Sequence, residues 1–274
     1  MRYVIPLILA LLVLPVFGLI LSAPAVHASV SVVQNTSAHF SSISDSEAFT
    51  TSVTSGDLVV VGILTFAPAS TVSTVTDSLG LSYTKAVQLP DSHANDVAAI
   101  YYATLSKGGS DTVMMTLGLA PVDGWDVYLF EVSGVTPPVV TTGQGASGAT
   151  PSSSIATAST SFTSPAFLIA VVGFFNCLDE AINPGPGFSY ITAPNPTTTC
   201  SALEIADPVA SPTTFPATIT SSGSSGSDNW VEVGAAFSAS TLIPEYPLGL
   251  PVLAILTVIG YAVIRRFNAT KKPD

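Results

Sequence analysis

Apolar and polar positions divide the chain into two apolar ends and a long middle segment. Tyr3 to Leu21 is an apolar run behind Met1-Arg2, and Leu248 to Ile264 contains no charged residue. Between these ends, short apolar or alternating runs are separated by turn residues such as Asp77-Ser78-Leu79-Gly80. This pattern predicts β strands joined by tight turns in the middle segment.

Four runs in the first part of the middle segment predict individual strands. Asp57 to Leu64 is a continuous, largely β-branched run, which is typical of a strand buried on both faces. Val97 to Thr104 predicts a second strand, and Thr112 to Leu117 alternates as a third. Trp125 to Val132 also alternates. The segment is rich in Ser, Thr, Val, Gly and Pro and poor in strong helix formers, so we predict an all-β fold.

The strand pattern recurs later in the chain. Three ordered matches carry the repeat: Leu58–Gly62 with Ile169–Gly173, Gly80–Tyr83 with Gly187–Tyr190, and the strand after Gly124-Trp125 with that after Asn229-Trp230. We therefore predict a jelly-roll-like β-sandwich built from two related halves, at about 52–135 and 158–240, with residues 136–157 as connector. Two separate small sandwiches are the alternative, and one body is favoured because about 80 residues per half makes a thin core.

The C-terminal apolar run has the length of a membrane span. As a helix, Leu248 to Ile264 extends about 26 Å, near the roughly 30 Å of a bilayer core, and inclusion of Phe267 extends it. We predict a transmembrane helix at 248–267, with Arg265 and Arg266 as the stop-transfer pair. The positive-inside tendency then places the tail, 268–274, in the cytoplasm and the preceding chain outside.

The N-terminal run predicts export. A short positive start, an apolar stretch and small residues at Val26 and Ala28 indicate a secretory signal, residues 1–28, cleaved after Ala28. An uncleaved N-terminal anchor is the alternative. The predicted extracellular domain is then 29–240, followed by a proline-rich juncture at 241–247.

The juncture resembles a known sorting signal. Pro244, Glu245, Tyr246 and Pro247, followed by the apolar helix and the basic pair, are similar to the PEF-type C-terminal sorting signals of archaeal surface proteins. That resemblance implies recognition by a membrane-embedded, transpeptidase-like sorting enzyme. Tyr-Pro stands where the motif has Phe-Gly, and a plain uncleaved single-pass anchor is the alternative.

The extracellular segment is strongly acidic. Lys85 and Lys107 stand against 17 acidic residues between Ser29 and Pro247, a formal charge of −15. Such a surface offers no footprint for nucleic acid or for anionic lipid. The segment also resembles a loosely defined group of secreted microbial β-sandwich modules, through Gly56-Asp57-Leu58-Val59-Val60-Val61, Thr76–Thr84 and Ile100–Ala103; that resemblance implies no activity.

Two covalent modifications are predicted outside the membrane. Cys177 and Cys200 are the two cysteines of the chain, and an oxidising compartment favours a disulfide between them. Two free buried thiols are the alternative. Asn35-Thr36-Ser37 is a glycosylation acceptor, whereas the similar Asn268-Ala269-Thr270 lies on the cytoplasmic side.

Four candidate sites were weighed against structural roles. Asp91 to Asp96 gathers oxygen ligands for Ca²⁺ but lacks the EF-hand order, which favours a solvated turn. The others are a carboxylate pair from Asp179-Glu180 with Glu204 or Asp207, a triad using His39 or His93, and a sugar platform of aromatic side chains (Tyr101, Tyr102, Trp125 and Trp230). None has a diagnostic spacing, so we predict no catalytic residue, no cofactor and no metal.

The leading hypothesis is a non-enzymatic cell-surface protein, anchored by its C-terminal helix, that serves in adhesion, envelope structure or weak ligand binding. Its expected partners are the membrane, a sorting enzyme and a glycan or surface protein, but not nucleic acid. A carbohydrate-binding or carbohydrate-active module is the first alternative. The second is a filament subunit that donates a strand near Ser29 to Val33 to a neighbour.

Overall fold

The computed structural model describes residues 26–27, 29–66, 71–90, 97–122, 124–144, 155–156, 166–174, 182–183, 188–192, 201–209, 218–221, 230–242, 257, 259–262 and 265–266. The chain divides into two compact units, one formed by His27–Ser240 and one by the two chain ends. His27–Ser240 is built from antiparallel strands, which confirms the prediction of an all-β, sandwich-like fold.

The first nine strands, in chain order, are β1 (Val26–His27), β2 (Ser31–Phe40), β3 (Ser44–Ala48), β4 (Leu58–Thr65), β5 (Val72–Asp77), β6 (Thr84–Pro90), β7 (Val97–Thr104), β8 (Thr112–Leu117) and β9 (Trp125–Ser133). The four strands predicted in this part of the sequence are β4, β7, β8 and β9. Their bounds agree with the prediction to within a residue or two, because each is a compact apolar run between turn residues.

The remaining strands are β10 (Val135–Gln144), β11 (Ile155–Ala156), β12 (Ala166–Phe174), β13 (Ile182–Asn183), β14 (Ser189–Thr192), β15 (Ser201–Val209), β16 (Thr218–Ser221), β17 (Trp230–Ala239) and β18 (Thr241–Leu242). The short strands β1 and β18 pair with each other. We refer to β2–β9 as the first set and to β10–β17 as the second set.

Each set forms one five-stranded and one three-stranded sheet. The first five-stranded sheet has the order β2-β9-β4-β7-β6, and the second has the order β10-β17-β12-β15-β14. The three-stranded sheets have the orders β3-β8-β5 and β11-β16-β13. The orders coincide when eight is added to every strand number of the first set, so the two sets share one topology. The three segments matched in the sequence fall on or beside corresponding strands, namely β4 with β12, β6 with β14, and β9 with β17.

The central strands of the first five-stranded sheet, β4, β7 and β9, are buried on both faces. Every residue of β4 is buried, as its continuous apolar sequence predicts. One face packs against the first three-stranded sheet, where Val61, Ile63 and Leu129 meet Val113 and Met115 of β8. Strands between two apolar layers lose the polar alternation of half-exposed strands, which explains why β9 also buries Asp126 and Glu131.

The opposite face packs against the second five-stranded sheet. Val60 and Phe130 from the first set share a core with Phe167, Val171 and Phe237 from the second. The ring of Phe167 lies with its centroid 5.9 Å from that of Phe130 and 6.2 Å from that of Phe237. The two sets are therefore joined by a common apolar core.

The connection between the sets differs from the sequence prediction. Residues 136–157, predicted as connector, include nearly all of β10 and all of β11. β10 is an edge strand with a register irregularity between Val135 and Val139, where Pro137 and Pro138 occur. An edge strand tolerates proline and polar residues because it hydrogen-bonds on one side only. Because β10 and the residues next to it in sequence are rich in Ser, Thr, Gly and Pro, their composition resembles that of a linker.

Gly134 makes the turn between the sets. It adopts a φ of 74°, and a Cβ atom at this position would collide with the backbone carbonyl of Ser29. Its own carbonyl accepts a hydrogen bond from the Ser240 amide at 2.7 Å. Glycine is thus required here both for its backbone conformation and for the close approach of the N-terminal strand.

Near the C-terminus, residues 257, 259–262 and 265–266 are helical. Within the described residues, no helix has both the length and the apolar character needed to cross a bilayer. The predicted signal residues 1–25 and 28, the juncture at 243–247, most of the predicted span and the tail lie outside the described residues.

Candidate functional site

A buried polar site lies at one end of the first set, around Glu131. The alternation of β9 places Glu131 on the same face as Val127 and Leu129, facing the three-stranded sheet, and the residue is fully buried. One carboxylate oxygen accepts a hydrogen bond from the Thr54 amide at 2.6 Å, and the other accepts one from Gln34 Nε2 at 2.7 Å. These donors stabilise the ionised form inside the fold.

Asp57, the residue immediately before β4, supplies the second carboxyl group of this site. Its side chain hydrogen-bonds to Glu131. Burial raises the pKa of Asp57 above its usual 3.8, and the charge of Glu131 together with the hydrogen bond raises the pKa further. The folded chain therefore holds a proton on Asp57 more tightly than the unfolded chain does.

This proton predicts a pH-dependent stability. Because the pKa of Asp57 is higher in the folded than in the unfolded chain, the folded protein binds the proton more tightly, and stability increases as the pH falls through the folded value towards 3.8. We expect Asp57→Asn to remove this increase. Urea unfolding at a series of pH values measures it as the difference in unfolding free energy between the parent and the variant.

The partner variant serves as the control. Glu131→Gln removes the charge that raises the pKa of Asp57, so Asp57→Asn should change the pH dependence less in the Glu131→Gln background than in the parent. An identical pH profile for the parent and Asp57→Asn would contradict the raised pKa of Asp57.

A second polar pair joins β2 to β9. The pairing of the two strands sets His39 opposite Asp126, and His39 Nδ1 lies 2.8 Å from Asp126 Oδ1. Asp126 is fully buried, while the His39 side chain is 22% exposed. Gly124, with a φ of 88°, leaves room for the imidazole, since a Cβ there would lie 2.5 Å from His39 Cε1. No serine hydroxyl is shown bonded to His39 among the described residues, so the pair is not seen as part of a nucleophilic triad.

An open groove of about 480 Å³ lies beside the turn that follows β5. Hydroxyl side chains dominate its lining, together with the ring of Tyr102: Ser82, Thr84, Tyr102, Thr104 and Ser106. Tyr102 is half-buried, and its ring meets Phe237 edge-on at 5.7 Å. A neutral groove of hydroxyls with one aromatic ring suits a polar, uncharged ligand.

The structure assigns a role to three of the four aromatic residues considered as a sugar-binding platform. Trp125 is fully buried and donates its indole N–H to the Ser42 carbonyl at 2.8 Å, and Tyr101 is 8% exposed. These two side chains belong to the core. Tyr102 alone lines the groove, and of Trp230 the structure describes only its place at the start of β17.

The structure also gives the positions of the predicted glycosylation, carboxylate and stop-transfer residues. Asn35 is exposed on the edge strand β2, a position open to glycan attachment. Glu204 lies on β15 opposite Ala170 of β12, and Asp207 lies on the same strand. Arg265 and Arg266 are exposed on helical residues. The remaining candidates lie outside the described residues: Asp91 to Asp96 with His93, Cys177, Asp179, Glu180, Cys200, and Pro244 to Pro247.

The strand suggested for donation to a neighbour has a partner in its own chain. Ser31 and Val32 of β2 pair with Ser133 and Val132 of β9. Ser31 Oγ and Ser133 Oγ are 2.8 Å apart. In this structure the N-terminal strand therefore completes the first five-stranded sheet.

Sequence reasoning did not identify Asp57 and Glu131 as neighbours, nor the buried residues Asp77 and Asp111 as a pair. In both cases the two carboxyl groups are far apart in sequence and meet only when strands pair. The available signal was weak: an acidic residue at a strand end in a segment otherwise made of apolar and hydroxyl residues. Among the described residues, no group of three or more His, Cys, Asp and Glu side chains is arranged to hold a metal ion.

Comparison of the chain with protein-family models, with curated proteins and with solved structures found no match.

Proposed function

We propose that the protein is an exported cell-surface protein, held in the membrane by its C-terminal helix, with a non-catalytic β-sandwich outside the cell. The sandwich is jelly-roll-like and consists of two related halves. Its roles are adhesion, envelope structure or weak ligand binding. Pro244 to Pro247 serve as a sorting motif for a membrane enzyme or as the juncture of a plain anchor.

The observation that carries the proposal is the order of segments along the chain. An apolar N-terminal run precedes an acidic body, and an uncharged run of 17 residues, Leu248 to Ile264, is followed at once by Arg265 and Arg266. Two residues within that run support a lipid environment, because Ile259 and Tyr261 are helical and 51% and 67% exposed. Large apolar side chains exposed on a helix are favourable in a hydrocarbon solvent.

The fold supports a structural role. The shared strand order of the two sets is what a duplicated sandwich would give. Its polar clusters are enclosed, with Glu131 and Asp126 fully buried, and they carry donors that fix carboxylates in place. With two lysines against 17 acids, some of them buried, the segment carries a net negative charge that favours solubility and separation from like-charged neighbours.

Cysteine labelling in whole cells tests the predicted topology. Ser73→Cys places a thiol at an exposed position of β5, and Lys271→Cys places one in the predicted cytoplasmic tail. A membrane-impermeant maleimide should label Ser73→Cys in intact cells, and should label Lys271→Cys only after permeabilisation. The parent protein gives the background from Cys177 and Cys200. Labelling of Lys271→Cys but not Ser73→Cys in intact cells would overturn the proposal.

The groove beside Tyr102 supports a second candidate, an extracellular carbohydrate-binding module. Its hydroxyl lining and single aromatic ring are typical of weak sugar sites. Binding of the purified protein to arrayed glycans should then depend on Tyr102, and a blank array would exclude this candidate in favour of the structural role.

A further inference from the structure

A second buried polar site lies in the first three-stranded sheet, where β5 ends and β8 begins. It contains two carboxyl groups. Asp77 is the last residue of β5 and is 6% exposed; Asp111 immediately precedes β8 and is 2% exposed. Antiparallel pairing of Asp77 with Val113 brings the ends of the two strands together. Both carboxyl groups act on the Tyr83 phenol, whose pKa is raised strongly by burial and further by the charges of Asp77 and Asp111.

Three of the four carboxylate oxygens of the pair accept a hydrogen bond from a polar hydrogen. The Leu81 amide donates to Asp77 Oδ1 at 2.9 Å, and the Tyr83 hydroxyl donates to Asp77 Oδ2 at 3.2 Å. The Ser78 hydroxyl accepts a hydrogen bond from the Thr112 amide at 3.0 Å, so its own proton goes to Asp111 Oδ1, also at 3.0 Å. This arrangement is suited to two ionised carboxylates.

The fourth carboxylate oxygen, Oδ2 of Asp111, has no hydrogen-bond partner among the described residues. Neither Asp77 nor Asp111 forms an ion pair with a Lys, Arg or His of the described chain. Two buried negative charges without a positive partner are costly, and such sites require a proton or a cation. Burial raises the pKa of Asp111 and the charge of Asp77 adds to that rise, while the hydroxyl of Ser78 and the backbone amides of Thr112 and Ser78 oppose it.

A proton fits the site less well than a cation. A single proton would neutralise one of the two carboxylates and leave the other charged, whereas the three carboxylate oxygens that have partners all accept from donors, as ionised oxygens do. A cation beside Oδ2 would instead satisfy the oxygen and neutralise both carboxylates. Oxygen-only surroundings of carboxylates, hydroxyls and backbone carbonyls select hard cations, of which Ca²⁺ tolerates irregular geometry best.

We propose that Asp77 and Asp111 form a Ca²⁺ site that fixes the β5–β6 turn to the start of β8. The hydroxyl groups of Ser78 and Tyr83 lie beside the two carboxylates and, with water, can complete the oxygen shell. Extracellular modules with few charged ligands bind Ca²⁺ with dissociation constants of about 10⁻⁴–10⁻³ M. Occupancy in the cell rests on the proposed surface location, but binding by the purified protein does not.

The test is Ca²⁺-dependent stability of the full chain in detergent. After treatment with a chelator, 10 mM CaCl₂ at neutral pH should raise the unfolding temperature by about 3–10 °C. Asp111→Asn, which keeps the shape of the side chain, should abolish that increase. The matched control is Asp91→Asn with Asp96→Asn, which removes the carboxylates of the other oxygen-rich sequence segment and should leave the increase intact.

Direct binding keeps the proposal falsifiable if Asp111→Asn does not fold. Terbium added to the parent protein should luminesce through excitation of nearby tyrosine, and Ca²⁺ should displace it. Absence of both terbium luminescence and a Ca²⁺-dependent shift would overturn the proposal and leave a shared proton at the site. A shift that disappears with the Asp91/Asp96 variant and persists in Asp111→Asn would also overturn it.

Discussion

Phe167→Ala is expected to lower the free energy of unfolding by about 3–5 kcal/mol. Phe167 is fully buried in the core shared by the two sets, between Phe130 of the first set and Phe237 of the second. Removing its ring leaves a cavity between two sheets whose backbones are each held by hydrogen bonds, so little collapse can fill it. The loss should therefore destabilise both sets together.

The two tryptophans provide independent reporters of this coupling. Trp125 begins β9 in the first set, and Trp230 begins β17 in the second. Trp125→Phe removes a buried indole, so each background has its own urea midpoint, and Phe167→Ala should lower the midpoint by the same amount in the Trp230→Phe and the Trp125→Phe background. Val122→Ala, at a side chain that is 72% exposed, is the control and should change stability by less than about 0.5 kcal/mol. A shift seen by Trp230 alone would show that the sets unfold separately.

Gly62→Ala is expected to destabilise the protein by about 1–3 kcal/mol, because the two five-stranded sheets approach closely at this residue. A Cβ at Gly62 would lie 2.8 Å from Val171 Cγ2 and 3.2 Å from Leu203 Cδ1. The valine is β-branched and buried, so it has little freedom to move away. Gly173, at the matching position of β12, meets Leu64 in the same way, at 2.6 Å from Cδ1.

A double-mutant cycle isolates this contact. Val171→Ala removes the methyl group that a new side chain would strike, so Gly62→Ala should cost less in the Val171→Ala background than in the parent. We expect a coupling energy of about 1 kcal/mol or more, from urea unfolding of the four proteins. Strictly additive costs would mean that the sheets do not pack as described at this point.

The sequence predicts best those strands whose pattern is visible within a few consecutive residues. β4 and β7 are continuous apolar runs between turn residues, and such runs have few alternatives to a buried strand. The matching Leu-Val-Val-Val-Gly and Ile-Ala-Val-Val-Gly segments, at 58–62 and 169–173, also identified corresponding strands in the two sets. They could not show that Gly62 and Gly173 each face the opposite set, because that depends on how two sheets stack.

The missed strand β10 illustrates the opposite case. Val135–Gln144 contains two prolines and several threonines, a composition shared by linkers and by edge strands. Only its pairing with β17 distinguishes the two, and that pairing involves residues almost a hundred positions away. Most of β10 therefore lies in the segment that the sequence prediction assigned to a connector.

The candidate sites depend on the same kind of long-range contact. Alternation along β9 puts Asp126 and Glu131 on opposite faces, but it cannot show that both faces are covered. Asp77 and Asp111 are each unremarkable in sequence, and they become a pair only through the register of β5 and β8. Site prediction from this sequence is thus limited by strand pairing rather than by residue chemistry.

The central claim is that the acidic β body faces the environment while the chain ends in the cytoplasm. The most direct test introduces a single thiol at one of two positions and measures whether it is accessible from outside the cell. In intact cells, the fraction of Ser73→Cys protein labelled by the impermeant maleimide should equal the fraction labelled after permeabilisation. The fraction of Lys271→Cys protein labelled should rise from background only after permeabilisation. If instead Ser73→Cys requires permeabilisation, the β body lies inside the cell and the account is wrong.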